Sequence, residues 1–176
     1  HAQSIAGPFG PRGAMRIFMS PGYSAMELLD GAGARLSRRA LVNDYEFPAR
    51  TAAVGRIRGT DEWDAGFVSE TGIFHAVDLN SCQTRWALDL GVPTFWPISV
   101  TAGDLTGEGR DHFLVSLPNG ELVALGEKDG SGSILWKIKF SAGLWEAILA
   151  DVDGDGLAEI VAHTDDGLVR ILKICE

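Results

Sequence analysis

The stretch Asp151-Val-Asp-Gly-Asp-Gly-Leu-Ala-Glu159 sets four carboxylates within nine residues, and three of them, Asp151, Asp153 and Asp155, stand at alternate positions. Hard cations such as Ca²⁺ take about six to eight oxygen ligands, and closely spaced carboxylates gather them without closing a long loop. Gly156 allows a sharp turn, which makes the carbonyl of Leu157 available as a further ligand. Without a cation the four acids repel one another. The spacing therefore predicts a Ca²⁺ site made of Asp151, Asp153, Asp155, the Leu157 carbonyl and Glu159. An acidic surface turn without metal is the competing reading.

The first five ligand positions match an EF-hand loop and the rest do not. An EF-hand ends its ligand set with a bidentate Glu at the twelfth position. Counting from Asp151, the twelfth residue is Ala162, and the acid stands at the ninth, Glu159. The flanks, Ala147-Ile-Leu-Ala150 and Ile160-Val-Ala-His163, are short apolar runs suited to buried strands rather than helices. The loop is thus expected between two strands.

Those strands belong to a repeat. Asp104-Leu-Thr-Gly-Glu-Gly-Arg-Asp-His-Phe-Leu-Val115 aligns with Asp151-Val-Asp-Gly-Asp-Gly-Leu-Ala-Glu-Ile-Val-Ala162, 47 residues later and without a gap. Gly107, Gly109 and Gly120 fall on Gly154, Gly156 and Gly167. One unit earlier, Thr71-Gly-Ile-Phe-His-Ala-Val77 matches Asn119-Gly-Glu-Leu-Val-Ala-Leu125, and Arg85-Trp-Ala-Leu-Asp89 matches Leu135-Trp-Lys-Ile-Lys139. Each unit divides into four short strands. In the third they are predicted at about His112–Ser116, Glu121–Leu125, Ser133–Lys139 and Trp145–Ala150, with Asn119-Gly120 a hairpin turn. Asp166-Gly167 is the same signal one unit on.

Four strands in about 48 residues make the blade of an all-β propeller. The expected organisation is an irregular arm at 1–13, then units at about 14–53, 54–102, 103–150 and 151–176. That is about three and a half blades, whereas closed propellers have about four to eight. An isolated half-ring leaves open sheet edges. The expected partner is therefore another copy or a second chain that completes the ring, or further sequence of a larger propeller.

Composition agrees with a globular chain. Of 176 residues 45% are hydrophobic and 22% charged, and the net charge is −9. The acidic balance argues against nucleic acid as a partner. No apolar run approaches the roughly eighteen residues of a membrane span. Cys82 and Cys175 are too few for a disulfide framework, and free thiols are the default.

Ala150-Asp-Val-Asp-Gly-Asp-Gly-Leu-Ala-Glu-Ile-Val161 resembles the FG-GAP, or VCBS, repeat of integrin α-subunit propellers and of many secreted bacterial proteins. Gly72-Ile-Phe-His-Ala-Val-Asp78 and Thr84-Arg-Trp86 are closer to the PQQ-like propeller repeat. The resemblance implies a calcium-stabilised blade, held by the five ligands named above, in a secreted, extracellular or periplasmic protein. The preceding repeat keeps Asp104 but has Thr106, Glu108 and His112 in place of Asp153, Asp155 and Glu159. The second unit places Arg56, Arg58 and Thr60 there and is expected to bind no metal.

Other residues are weaker candidates. Trp86 and Trp136 occupy equivalent positions and read as inter-blade core, while Trp63 in an acidic turn reads as exposed. Trp96 and Trp145 precede the acid-rich loops, where an aromatic can stack on a sugar, and Arg110 and His112 stand beside them as a possible polysaccharide site. Arg35, Arg38 and Arg39 form a local basic patch. The leading functional expectation is an extracellular calcium-binding module for carbohydrate or protein recognition, with the metal structural. The alternatives are part of a propeller polysaccharide lyase, using a base such as His112 or His163 with Arg110 or Tyr45, and a half-propeller whose role is assembly.

Overall fold

The computed structural model describes residues 2–21, 25–40, 48–59, 62–92 and 99–174. They form four antiparallel sheets in chain order. The first holds β1 (Ala2–Gly7), β2 (Arg16–Pro21), β3 (Ala25–Asp30) and β4 (Arg35–Ala40). The second holds β5 (Pro48–Gly55), β6 (Asp64–Ser69), β7 (Ile73–Asp78) and β8 (Thr84–Asp89). The third holds β9 (Ser99–Gly103), β10 (His112–Ser116), β11 (Glu121–Lys128) and β12 (Ser131–Lys139). The fourth has three strands, β13 (Leu144–Ala150), β14 (Glu159–Thr164) and β15 (Val169–Leu172). Each sheet is a meander, and the whole is a partial β-propeller. Among the described residues no helix is long and apolar enough to cross a membrane.

The core lies between the sheets, which is why the middle strands read as unbroken apolar runs rather than as alternating ones. Side chains of a strand alternate between faces, and here both faces are covered. On β10, Phe113 and Val115 pack with Phe74, Trp86 and Val68 of the second sheet. Leu114, between them in sequence, packs with Leu144, Ala147, Ile160 and Ala162 of the fourth. Phe18, Met26 and Leu28 meet Ala65, Phe67 and Val77 across the first gap. Burying one such side chain contributes about 1.5–3 kcal/mol, so the contacts between blades hold the array together as much as the ladders within them.

Three expectations need correction. Residues 1–13 are not an irregular arm: Ala2–Gly7 pairs with β2 along its length, from Ala2 against Pro21 to Gly7 against Arg16. The repeat units are also out of phase with the blades. The fourth strand of the third unit, β13, pairs with β14 and opens the next sheet, so the unit of sequence runs across a gap between blades. Trp63 is half-buried instead of exposed: its ring lies 5.0 Å from that of Phe9, with the Arg56 guanidinium 5.7 Å above it. Trp96, Tyr45, Thr60 and Cys175 lie outside the described residues.

Candidate metal site

The loops before β10 and β14 are built alike. Asp151 accepts the backbone N–H of Gly154 on Oδ1 (2.7 Å) and that of Gly156 on Oδ2 (3.0 Å). Asp104 does the same with Gly107 (2.8 Å) and Gly109 (2.6 Å). Those glycines have φ of +73° and +79° in the first loop and +78° and +89° in the second, a region that side chains with a Cβ rarely enter. The leading aspartate and two glycines are therefore a turn scaffold common to both loops. For Asp104, burial works against ionisation, but the N–H donors of Gly109, Thr106 and Gly107 outweigh it and hold the carboxyl below its ordinary value.

The loops diverge in what the scaffold presents. In the second, carboxylate oxygens of Asp151, Asp153 and Glu159 lie within 4.8 Å of one another. Glu159 opens β14 and is 2% exposed. Its Oε2 accepts the N–H of Val152 at 3.0 Å. Its Oε1 is buried with no hydrogen-bond partner among the described residues. Asp155 stands outside this trio. Its Oδ1 accepts the N–H of Leu157, whose side chain is exposed.

A cation already reaches these acids, and the sequence reading missed it. The Lys173 ammonium lies 2.8 Å from Asp153, forms a short hydrogen bond to Asp155, and stands 3.7 Å from the buried Glu159 Oε1. The hydrogen bonds to Asp153 and Asp155 raise the Lys173 pKa, and the same contact with Lys173, then the Leu157 N–H, lowers that of Asp155. The register explains the meeting. Ile160 pairs with Leu172, so the next residues outward, Glu159 and Lys173, face each other at the end of the hairpin.

This position recurs around the array. The second strands of the four sheets open with Arg16, Asp64, His112 and Glu159, and the register brings Asp30, Asp78, Gly126 and Lys173 opposite them. In the second sheet the Arg58 guanidinium bridges Asp64 and Asp78, at 3.3 Å to each, and Arg85 adds a contact to Asp64 at 3.2 Å. Asp64 is fully buried, and burial raises its pKa despite both arginines. Arg58 sits at the loop position of Asp153, so this blade supplies its own cation there. In the third sheet His112 is 3% exposed with Nδ1 unpaired, and burial, then the charge of Arg110, lower its pKa and keep the ring neutral.

The weaker candidates do not converge. Arg110 is paired with Glu108 at 3.1 Å, His112 points into the protein, and Trp145 is exposed on β13. A cleft of about 620 Å³ does open between the two loops, walled by Asp104, Glu108, Glu159 and Lys173 and floored by Trp136, but none of those three lines it. The basic patch is tied down: Arg35 and Arg38 contact Glu27 at 3.6 and 3.2 Å, and Arg39 donates to Thr84 at 2.9 Å. Cys82 is buried and free, with Ser37 Oγ 3.3 Å from its sulfur.

No family model matches the chain, and no curated protein does. Solved structures do. The crystal structure of BBS1N in complex with ARL6DN, from a crystal soaked with mercury, gives a TM-score of 0.73 at 13% identity, covering 98% of this chain and 50% of that one. Sqt1 of Saccharomyces cerevisiae gives 0.66 at 12% identity, covering 99% and 45%. BamB of Moraxella catarrhalis gives 0.64 at 11%, covering 90% and 40%. At such identities the likeness shows the fold: the chain is part of a β-propeller and spans about half the length of the solved structures it matches.

Proposed function

We propose that this chain is a calcium-binding portion of an extracellular β-propeller that recognises a protein or carbohydrate partner, and that the Ca²⁺ is structural. The observation that carries the reading is Glu159 Oε1, buried without a hydrogen bond and aimed at a cluster of exposed carboxylates. Lys173 stands 3.7 Å from that oxygen, too far for a hydrogen bond, buried polar atoms without a hydrogen bond are uncommon, and an all-oxygen donor set suits a hard cation. Glu159 Oε1, Asp151 and Asp153 would hold the ion, which would supply the positive charge their carboxylates need. Asp155 and the Leu157 carbonyl join it once Lys173 swings out. Lys173 thus acts as a resident counter-ion that the metal displaces, and it keeps the loop folded when calcium is scarce. The FG-GAP resemblance of this loop and the net charge of −9 support the extracellular assignment. One matched propeller, BBS1N, was crystallised with a protein partner, which is consistent with recognition as the role.

Metal that binds only the folded chain stabilises it by mass action, about 2.7 kcal/mol at a hundredfold excess over Kd. The test is thermal melting in calcium and in chelator, with light-scattering mass measured alongside. A calcium-dependent rise in Tm is expected for the native chain and is absent from Asp153→Ala. A melt that ignores calcium contradicts the proposal. The assembly reading draws on the last sheet, where Trp145, Ile148, Val169 and Ile171 are each about half exposed or more, as expected of a face that another blade covers.

A further inference from the structure

We infer that the outer edge of β15 is a slot for one more strand: an antiparallel polypeptide segment from outside residues 1–176, with a glycine opposite Ile174. The inference rests on the reading that more polypeptide completes the propeller, and it names where and with what chemistry the joint is made.

The second and third sheets show how such a joint works. Trp86, on the outer strand β8, is 6% exposed because β12 of the next blade roofs it. A Cβ at Gly132 would stand 2.2 Å from the Trp86 ring, so only glycine fits there, and Trp86 Nε1 donates to Glu127 Oε2 at 3.2 Å. Gly132 in turn pairs with Glu127 across the β11–β12 ladder. Trp136, on the outer strand β12, is the next member of the series. Among the described residues the fourth sheet ends at β15, without the fourth strand that the other three sheets have. Trp136 is accordingly only half-buried, and the 620 Å³ cleft and a neighbouring cavity of about 210 Å³ both open against it and along Lys173 and Ile174. In the repeat Ile174 takes the place of Glu127, which puts the small residue of the missing strand opposite Ile174. Ile138 and Leu172 line the rest of the smaller cavity, so the strand's other inward residues are apolar.

A second copy is a poorer occupant. Every strand of the described residues already belongs to one of the four sheets, so a copy could offer only an edge strand held in its own blade, whereas the repeat places a strand bearing the small residue directly after β15. Strand addition at an open edge supplies main-chain hydrogen bonds, with specificity from the side chains that alternate into pockets.

Glu176 corresponds to Asp129 in the repeat, so the test is the native chain extended past Glu176 by a copy of Gly130–Lys139. Docking raises Tm by about 4 °C and slows amide exchange at Val169–Leu172. The same extension with Gly132→Leu in the copy loses both effects. Should the extended chain aggregate, a free peptide of sequence Ser131–Lys139 added to the native chain is expected to give the same protection. No protection in either format overturns the inference, as does equal protection by the leucine version. A native dimer whose β15 amides are already slow also overturns it, by assigning the slot to a second copy. If the extension docks but no calcium effect is seen, the metal reading fails alone. If calcium stabilises the chain but the extension changes nothing at β15, the slot fails alone.

Discussion

The third and fourth blades begin from the same sequence pattern and end in different chemistry. Both start with an aspartate that ties down two glycine amides, and both follow it with a buried residue that opens a middle strand. In the third blade that residue is His112, kept neutral by burial and facing Gly126. In the fourth it is Glu159, facing Lys173. The second blade adds a further solution, with Asp64 and Asp78 bridged by Arg58. The start of the middle strand is therefore occupied by a buried neutral ring in the third blade, by an aspartate bridged to a guanidinium in the second and by a glutamate beside an ammonium in the fourth, and among the described residues the fourth alone brings three carboxylates within 4.8 Å of one another. The blades also differ in their cover: the third is packed on both faces, while the fourth exposes one face and its last edge.

The difference in cover gives the largest expected effect. Gly120 has φ of +83°, and a Cβ there would lie 2.6 Å from the Ala142 carbonyl oxygen; the equivalent Gly167, at +79°, has nothing within 4 Å. Gly167→Ala bears only the backbone term, about 1 kcal/mol. Gly120→Ala adds a clash with main chain and is expected to cost about 3 kcal/mol. Denaturant melts of the two variants measure the gap, and equal losses would show that the third blade is no more tightly covered than the fourth.

Next come the scaffold aspartates. Asp104→Ala removes the charge-assisted hydrogen bonds from the Thr106, Gly107 and Gly109 amides and Asp151→Ala those from Gly154 and Gly156, and in chelator each is expected to lower stability by about 1–2 kcal/mol. In calcium the losses should part, because of the two only Asp151 belongs to the proposed metal site. Identical losses in both buffers would erase the distinction between the loops. Lys173→Met sharpens it further: without its resident ammonium the site should bind calcium several-fold more tightly, as calorimetry would show, and unchanged affinity would mean that Lys173 does not compete.

The smallest effect is in pH. Burial, and then Arg110, hold the His112 pKa below its ordinary value near 6.5. The unfolded chain then takes up a proton at a pH where the folded one does not. The contribution of His112 is complete above about 6.5 and is lost as pH falls towards the lower folded value. The Tm of the native chain should decline over that window, and His112→Phe should flatten the decline.

Much of this was legible in the sequence. Hairpin signals such as Asn119-Gly120 and the glycine register of the repeat located β10, β11 and β12 of the third blade and β13 of the fourth to within about three residues at either end, but not β9. The same residues located Asp151, Asp153 and Glu159 as a convergent set. What was not legible is what pairing decides. The partner of β13 is β14 rather than β12, and no local pattern says so. β1 is rich in small residues and becomes a strand only because β2 offers it an edge. Lys173 lies 18 residues beyond Asp155, and only the register of β14 on β15 brings it back. Counting outward from a three-residue turn centred on Asp166 puts it opposite Glu159, whereas a two-residue Asp166-Gly167 turn would have put Ile174 there, so the turn length decides the meeting.

The most direct test is calorimetric titration of Ca²⁺ into the native chain and into Glu159→Gln. The account predicts a single site of unit stoichiometry in the native chain, with heat that disappears when the buried oxygen loses its charge. Absence of binding to the native chain, or equal binding to both proteins, would contradict the claim that the Asp151–Glu159 loop is a metal site built around Glu159.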